Sequence, residues 1–176
     1  MIVRTEQAED VDAIRAVTRA AFAKPDVPDP MEARLVDELR ADAGWISTLS
    51  HVAVVDGTVV GHVVSTRAVV VDGAGAANDA FILGLGPLSV LPAHQRRGIG
   101  SALVHTNLGA ADALGAACVV LLGSTDYYRR FGFEAASEHG IDAPNPDWGR
   151  YFQVRRLRAY RPEIRGTFRY ASPFPV

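Results

Sequence analysis

The run LSVLPAHQRRGIGSALV, from Leu88 to Val104, decides how this chain is read. An extended stretch ends at about Leu91, Pro92 breaks it, and QRRGIG leads directly into a helical pattern. Gly98 and Gly100 leave room for a ligand to approach the backbone, and the successive N–H groups of a helix start point at the same place. Arg96 and Arg97 add positive charge beside them, so a pyrophosphate fits better than a single carboxylate. Taken alone, a Gly-x-Gly at a helix start is equally a tight strand-to-helix turn, and the flanks must decide.

Immediately upstream lies FILGLGPLSV, Phe81 to Val90, a strand with two glycines and a proline inside it. Pro87 has no N–H to give to a ladder, so this strand should be bulged or unpaired along one edge near it. Before it, HVAVV and TVVGHVVSTRAVVV flank Asp56-Gly57, a strong hairpin signal, and Asp72 to Asp79 form a second turn. The N-terminal part reads as a short strand over Ile2 to Arg4. A helix follows, with Ala13, Ile14, Val17, Ala20, Ala21 and Phe22 at spacings of three and four, and Asp10 or Asp12 capping or charging its first turn. The loop KPDVPDP ends that helix, and a second amphipathic helix runs from Met31 to about Asp42 with Leu35, Val36 and Leu39 inward.

Downstream of the glycine loop the helix extends to about Leu114. It is followed by a buried strand at CVVLL, a short helix near Asp126 to Arg130, and strands near Phe133 and over Phe152 to Leu157. With no repeat and no low-complexity tract, this is one mixed α/β domain over residues 1–160, with a tail over 161–176 expected to pack on it.

Composition narrows the function classes. The 176 residues are 48% hydrophobic and 22% charged, as in one ordinary globular domain. A net charge of −2 gives no electrostatic case for nucleic acid or an anionic membrane, and neither a signal peptide nor a membrane span is visible. Cys118 alone permits neither an internal disulfide nor a cysteine-based zinc cluster and fits a cytoplasmic setting. Lys24, the only lysine among 18 basic residues, stands in a loop beside Pro25, which suits neither a Walker-type phosphate loop nor a Schiff-base enzyme. His51, His62, His94, His105 and His139 are scattered without an i,i+4 pair, so no metal site is expected. Cys118 reads as a buried small hydrophobe, and the arginines from Arg150 to Arg169 as solvated surface, with an acidic partner or a cofactor phosphate as the lesser reading.

The glycine loop, together with YYRRFGF at Tyr127 to Phe133, resembles the GNAT superfamily of acyl-CoA N-acyltransferases. Gln95, Gly98 and Gly100 occupy the defining positions of its Gln/Arg-x-x-Gly-x-Gly/Ala signature, and the second segment follows about 30 residues later, in the expected order. The resemblance runs from Ile2 to roughly Leu157, and the tail GTFRYASPF is similar to the ending of one bacterial subgroup of predicted acetyltransferases. A dinucleotide-binding fold is excluded because the loop is central, follows an antiparallel meander, and has Leu103 where a third glycine belongs.

The resemblance implies a mostly antiparallel central sheet flanked by helices, whose fourth and fifth strands splay to admit the pantetheine arm of acetyl-CoA. It implies cofactor contacts at Leu88, Ser89, Val90, Gln95, Arg96, Arg97, Gly98, Ile99, Gly100, Ser101, Ser124 and Tyr128, with no metal. It assigns Tyr128 as the general acid for the departing thiolate, with Tyr127 as the alternative. Members often keep a carboxylate in the fourth strand to draw a proton from the amine. FILGLGPLSV has none, which leaves the base open among Glu32, Asp29, Glu134 and a water. With no acyl-accepting nucleophile in view, direct transfer in a ternary complex is expected, the alternative being a non-catalytic acyl-CoA sensor. The acceptor, a small-molecule or peptide amine, would lie between Lys24 to Glu32 and Gly140 to Tyr151, where Trp148 and Tyr151 are packing residues or an aromatic wall. A monomer or homodimer is expected.

Overall fold

The computed structural model describes residues 1–175; Val176, the last residue of the tail, lies outside the described residues. The chain begins with β1 (Ile2–Thr5), followed by α1 (Val11–Phe22) and α2 (Met31–Ala41). Next come β2 (Ser50–Val55), β3 (Thr58–Val71), β4 (Ile82–Val90), α3 (Ile99–Ala113), β5 (Cys118–Leu122) and α4 (Thr125–Tyr128). Four short strands complete it: β6 (Glu134–Ala135), β7 (Ile141–Asp142), β8 (Phe152–Arg156) and β9 (Gly166–Arg169). The main path of the sheet is β1-β2-β3-β4-β5-β8-β6, antiparallel along its length except where β4 meets β5; off this path β9 pairs antiparallel with β3 and parallel with β7. This is the mixed, mostly antiparallel architecture that the sequence implied. No helix among the described residues is long and apolar enough to cross a membrane.

Strand alternation explains the layers. In β2, Val52 packs with Ile14 and Val36 of α1 and α2, while its neighbour Ala53 packs with Leu103 and Val104 of α3. Val64 and Val63 of β3 divide in the same way, Val64 beside Leu35 and Leu39 and Val63 beside α3. Helices therefore cover both faces of β2 and β3, which fixes them relative to the adjoining β4. Pro87 has the predicted effect: Leu88 sits opposite Val63 but Leu85 opposite Ser65, so β4 carries one extra residue there.

Two local features add to the sequence reading. Asp12 charges the first turn of α1, whereas Asp10, which precedes the helix, does not cap it; Asp10 closes the short turn before it, accepting from Gln7 N–H at 2.8 Å and from the Arg4 guanidinium at 2.6 and 2.9 Å, which ties β1 to that turn. The tail contributes a strand of its own. Residues Gly166–Arg169 form β9, which pairs with Val69–Val71 of β3 and with β7.

A buried polar cluster joins β1, α2, β2 and β3. The Glu6 carboxylate accepts from Arg40 Nε at 2.7 Å and from the Ser50 hydroxyl, and Ser50 Oγ lies 2.9 Å from Nε2 of the fully buried His62. Burial alone would raise the Glu6 carboxyl, but the His62 imidazole 3.6 Å away and the hydrogen bonds donated by Arg40 and Ser50 outweigh it and hold the group down at about 2. His62 is depressed by burial, only partly offset by Glu6. Both groups make the fold acid-labile. Below about 6.5 the unfolded chain binds a proton at His62 that the folded chain resists, and from about 4.5 down to about 2 the same holds at Glu6. The Glu6 part alone amounts to about 3 kcal/mol. The thermal midpoint should fall in these two stages, and Glu6→Gln should lower it at pH 7 while flattening the lower stage. Calorimetry across pH 8 to 3 checks this, and parallel curves for the two proteins would refute it.

Candidate active site

The site begins where β4 and β5 part. Their parallel ladder covers only Ile82, Leu83 and Gly84 against Cys118, Val119 and Val120, after which β4 continues to Val90 paired with β3 alone. Each lip is held by its outer neighbour. Leu91 N–H donates to Val60 O of β3 at 2.9 Å, whereas beyond β5 Gly123 N–H donates to Tyr151 O at 2.9 Å and Gly123 O accepts from Gln153 Nε2 at 2.8 Å. The opening is therefore built into the hydrogen bonding.

In an antiparallel ladder, residues alternate in the edge to which they offer their amides. Leu91 bonds to Val60, so Ser89, two residues earlier and opposite His62, also faces β3, and Leu88 and Val90 turn their backbone groups to the opening. Gln95 Nε2 reaches one of these, donating to Val90 O at 3.1 Å. Ser89 thus departs from expectation: its amide belongs to the ladder, and its buried hydroxyl lies 3.1 Å from Thr18 Oγ1 on α1.

The glycine loop forms the floor of a cavity of about 570 Å³ on one side of the opening. Gly98, at φ +82°, immediately precedes α3, and its carbonyl accepts from Ala102 N–H at 2.9 Å, so the N–H groups of Ile99, Gly100 and Ser101 have no partner within the helix. Arg96 also takes a left-handed conformation, φ +61°, a strained geometry for a residue with a side chain. A Cβ at Gly98 would meet nothing within 4 Å, whereas one at Gly100 would lie 2.6 Å from the Tyr127 hydroxyl, which overhangs the loop. Leu88, Val90, Gln95, Arg96, Gly100 and Ser101 all line this cavity with Gly98. Arg97 and Ser124 are exposed and line neither this cavity nor its neighbour, and Ile99 buries its side chain in the core against Leu103, leaving only its backbone for a ligand.

On the other side of Leu88 is a second cavity of about 400 Å³, with Leu88 common to both. Tyr128 lines this one and Tyr127 the first. The two rings stand at 90°, centroids 4.9 Å apart, because consecutive residues of the short α4 turn project differently. Tyr128 can lie so close because Gly123, beyond β5, has no Cβ for its ring to strike. Burial, with Tyr127 beside it, pushes the Tyr128 phenol up, so its proton is held through the neutral range; Tyr127 is also raised by burial, partly offset by Ser101 and Arg130.

Of the three carboxylates proposed as bases, the second cavity contains Glu32 alone. Asp29 is paired with Arg19 at 3.1 Å, and Glu134 with His139 at 2.9 Å and Arg156 at 3.1 Å. Trp148 lines this cavity but Tyr151 does not; Tyr151 is exposed under Arg150. Tyr170 and Phe174 of the tail, their centroids 4.5 Å apart, complete the wall. Sequence reasoning missed them, because the residues they face in the cavity are distant in the chain.

Cys118 is fully buried, and burial pushes its thiol up to about 12, so it supplies no thiolate. Among the described residues, no three of His, Cys, Asp and Glu come together as metal ligands. Arg155, Arg156 and Arg158 converge with Arg130 on a groove beside the C-terminal half of α3, and Arg130 also lines the loop cavity.

Comparison with known proteins agrees with this geometry. The model of the Acetyltransferase (GNAT) domain matches residues 2–136. The chain is 36% identical over 158 residues to the uncharacterized N-acetyltransferase YhbS of Escherichia coli K12, covering 89% of this chain and 87% of that protein. Its structure is similar to that of a GNAT family acetyltransferase from Brucella melitensis in complex with acetyl-CoA, with TM-score 0.78, 36% identity, and 99% and 97% of the two chains covered. It is also similar to E. coli YhbS in complex with CoA, with TM-score 0.81, 31% identity, and 98% and 90% covered.

Proposed function

The chain belongs to the GNAT family of acetyltransferases, and from that premise we propose that it transfers the acetyl group of acetyl-CoA directly to a primary amine, with the two cavities holding the two ends of the reaction. The observation that carries this reading is the pair of backbone edges at Leu88 and Val90, turned to an opening that joins an anion-binding loop to an apolar cavity. The pyrophosphate of acetyl-CoA lies on the N–H groups of the Gln95 to Ser101 loop, where the start of α3 favours negative charge. The pantetheine amides bond to β4 as a partial strand in place of β5.

The thioester then reaches the second cavity. A backbone N–H at Leu88 or Val90 polarises its carbonyl. The amine arrives as an ammonium and gives up one proton, which passes to solvent. Its lone pair attacks the carbonyl carbon, the C–N bond forms, and the C–S bond breaks. Tyr128 gives its phenolic proton to the departing sulfur and regains one from the nitrogen, leaving amide, free thiol and one released proton. Direct transfer follows from the inert Cys118 and from a cavity that takes both reactants.

Thiol release from acetyl-CoA, followed across a broad panel of amines with the product identified by mass, tests this function. Acetylated product with stoichiometric thiol is expected. Acetyl-CoA binding without turnover on any amine or peptide would instead make the chain an acyl-CoA sensor.

A further inference from the structure

We propose that the acceptor is a monoamine whose single ammonium is carried on a flat apolar or aromatic body and is held by Glu32 in the second cavity. This rests on the acetyl transfer proposed above. The cavity wall presents Phe22, Leu35, Trp148, Tyr170 and Phe174, and Glu32 is the one charged side chain lining it among the described residues. No arginine, lysine or histidine joins it there.

That charge balance selects the ligand. One carboxylate neutralises one cation, and a second charge brought into the same space is desolvated without a partner. A polyamine carries extra ammonium groups for which no other carboxylate among the described residues lines the cavity, since the nearby Asp29 is bound to Arg19. A free amino acid brings a carboxylate that meets Glu32 and no cation. An aromatic monoamine leaves nothing unmatched: its ring replaces water against Trp148, Tyr170 and Phe174, and its ammonium faces Glu32. A volume of about 400 Å³ suits one flat aromatic group with a short linker together with the thioester end of the cofactor. The tail contributes both Tyr170 and Phe174, so the segment beyond β8 sets specificity.

Glu32 also gives the amine's first proton a route. The carboxylate takes it from the ammonium, leaving the lone pair free, and passes it to solvent before the next turnover. The transfer adds no co-reactant beyond acetyl-CoA and the amine.

The test compares 2-phenylethylamine and tryptamine with spermidine and L-lysine as acceptors, by kcat/KM from thiol release. The aromatic monoamines should exceed the others by about tenfold or more, the scale of one unmatched charged contact. In Glu32→Gln, KM for 2-phenylethylamine should rise about tenfold or more, while acetyl-CoA affinity, measured separately by calorimetry, stays unchanged. Preference for spermidine or lysine, an unchanged KM in Glu32→Gln, or failure of 2-phenylethylamine to bind the CoA-loaded protein overturns the acceptor assignment with acetyl transfer intact. Failure of acetyl-CoA itself to bind overturns the transfer reading first, and the acceptor assignment with it.

Discussion

Tyr128→Phe should lower kcat by roughly 10²- to 10⁴-fold, the range expected when a general acid is removed, with acetyl-CoA affinity unchanged. The substitution keeps the ring that packs on Phe133 and over Gly123 and deletes only the hydroxyl, so the fold has no reason to change. Burial holds the proton on Tyr128 through the neutral range, which makes the phenol a donor and not a base. Tyr127→Phe is the matched control. Its hydroxyl overhangs Gly100 in the loop cavity, so its loss should leave kcat nearly intact and show itself, if at all, in cofactor affinity. The two variants measured side by side with one acceptor decide the roles, and the opposite pattern would transfer the proton to Tyr127.

Gly98→Val should abolish most acetyl-CoA binding, weakening it by about 30-fold or more, which is the loss of one to two charge-assisted hydrogen bonds. Two effects act at this residue. A side chain at φ +82° is strained by about 1–2 kcal/mol, and it fills the open space above the loop that the phosphates require. Gly57 separates them: it has φ +78°, likewise nothing within 4 Å, and lies in the β2–β3 hairpin away from both cavities. Gly57→Val should lose comparable stability and no affinity. Arg96→Ala, which removes only an exposed and screened charge, should cost less than Gly98→Val. Calorimetric titration of the three folded variants is the check. Equal affinities in Gly98→Val and Gly57→Val would remove the pyrophosphate from this loop.

What the sequence disclosed about the site was encoded locally. The glycines at 98 and 100, the helix start at Ile99 and the proline at 87 impose backbone geometry on their own neighbours, so the loop and the irregular edge of β4 were legible without tertiary information. The split between Tyr127 and Tyr128 was legible only as two alternatives, because the direction of each ring depends on where Gly123 and the loop lie in space. Contacts distant in the chain were not legible. Nothing in GTFRYASPF announces that Gly166–Arg169 will join β3, or that Tyr170 and Phe174 will face Glu32 and Trp148 across a cavity. Glu32 could not be separated from Asp29 and Glu134 until their arginine and histidine partners were placed. The histidines seemed idle in sequence because His62 is matched to Glu6 and Ser50 through strand pairing, not through helical spacing.

A crystal structure of the protein with CoA measures the central claim directly, namely that one cofactor spans both cavities across Leu88. The pyrophosphate should accept hydrogen bonds from the N–H groups between Gln95 and Ser101, and the sulfur should lie within hydrogen-bonding reach of the Tyr128 hydroxyl in the cavity that holds Glu32. A sulfur resting beside Tyr127, or a pyrophosphate seated away from Gly98, would contradict it.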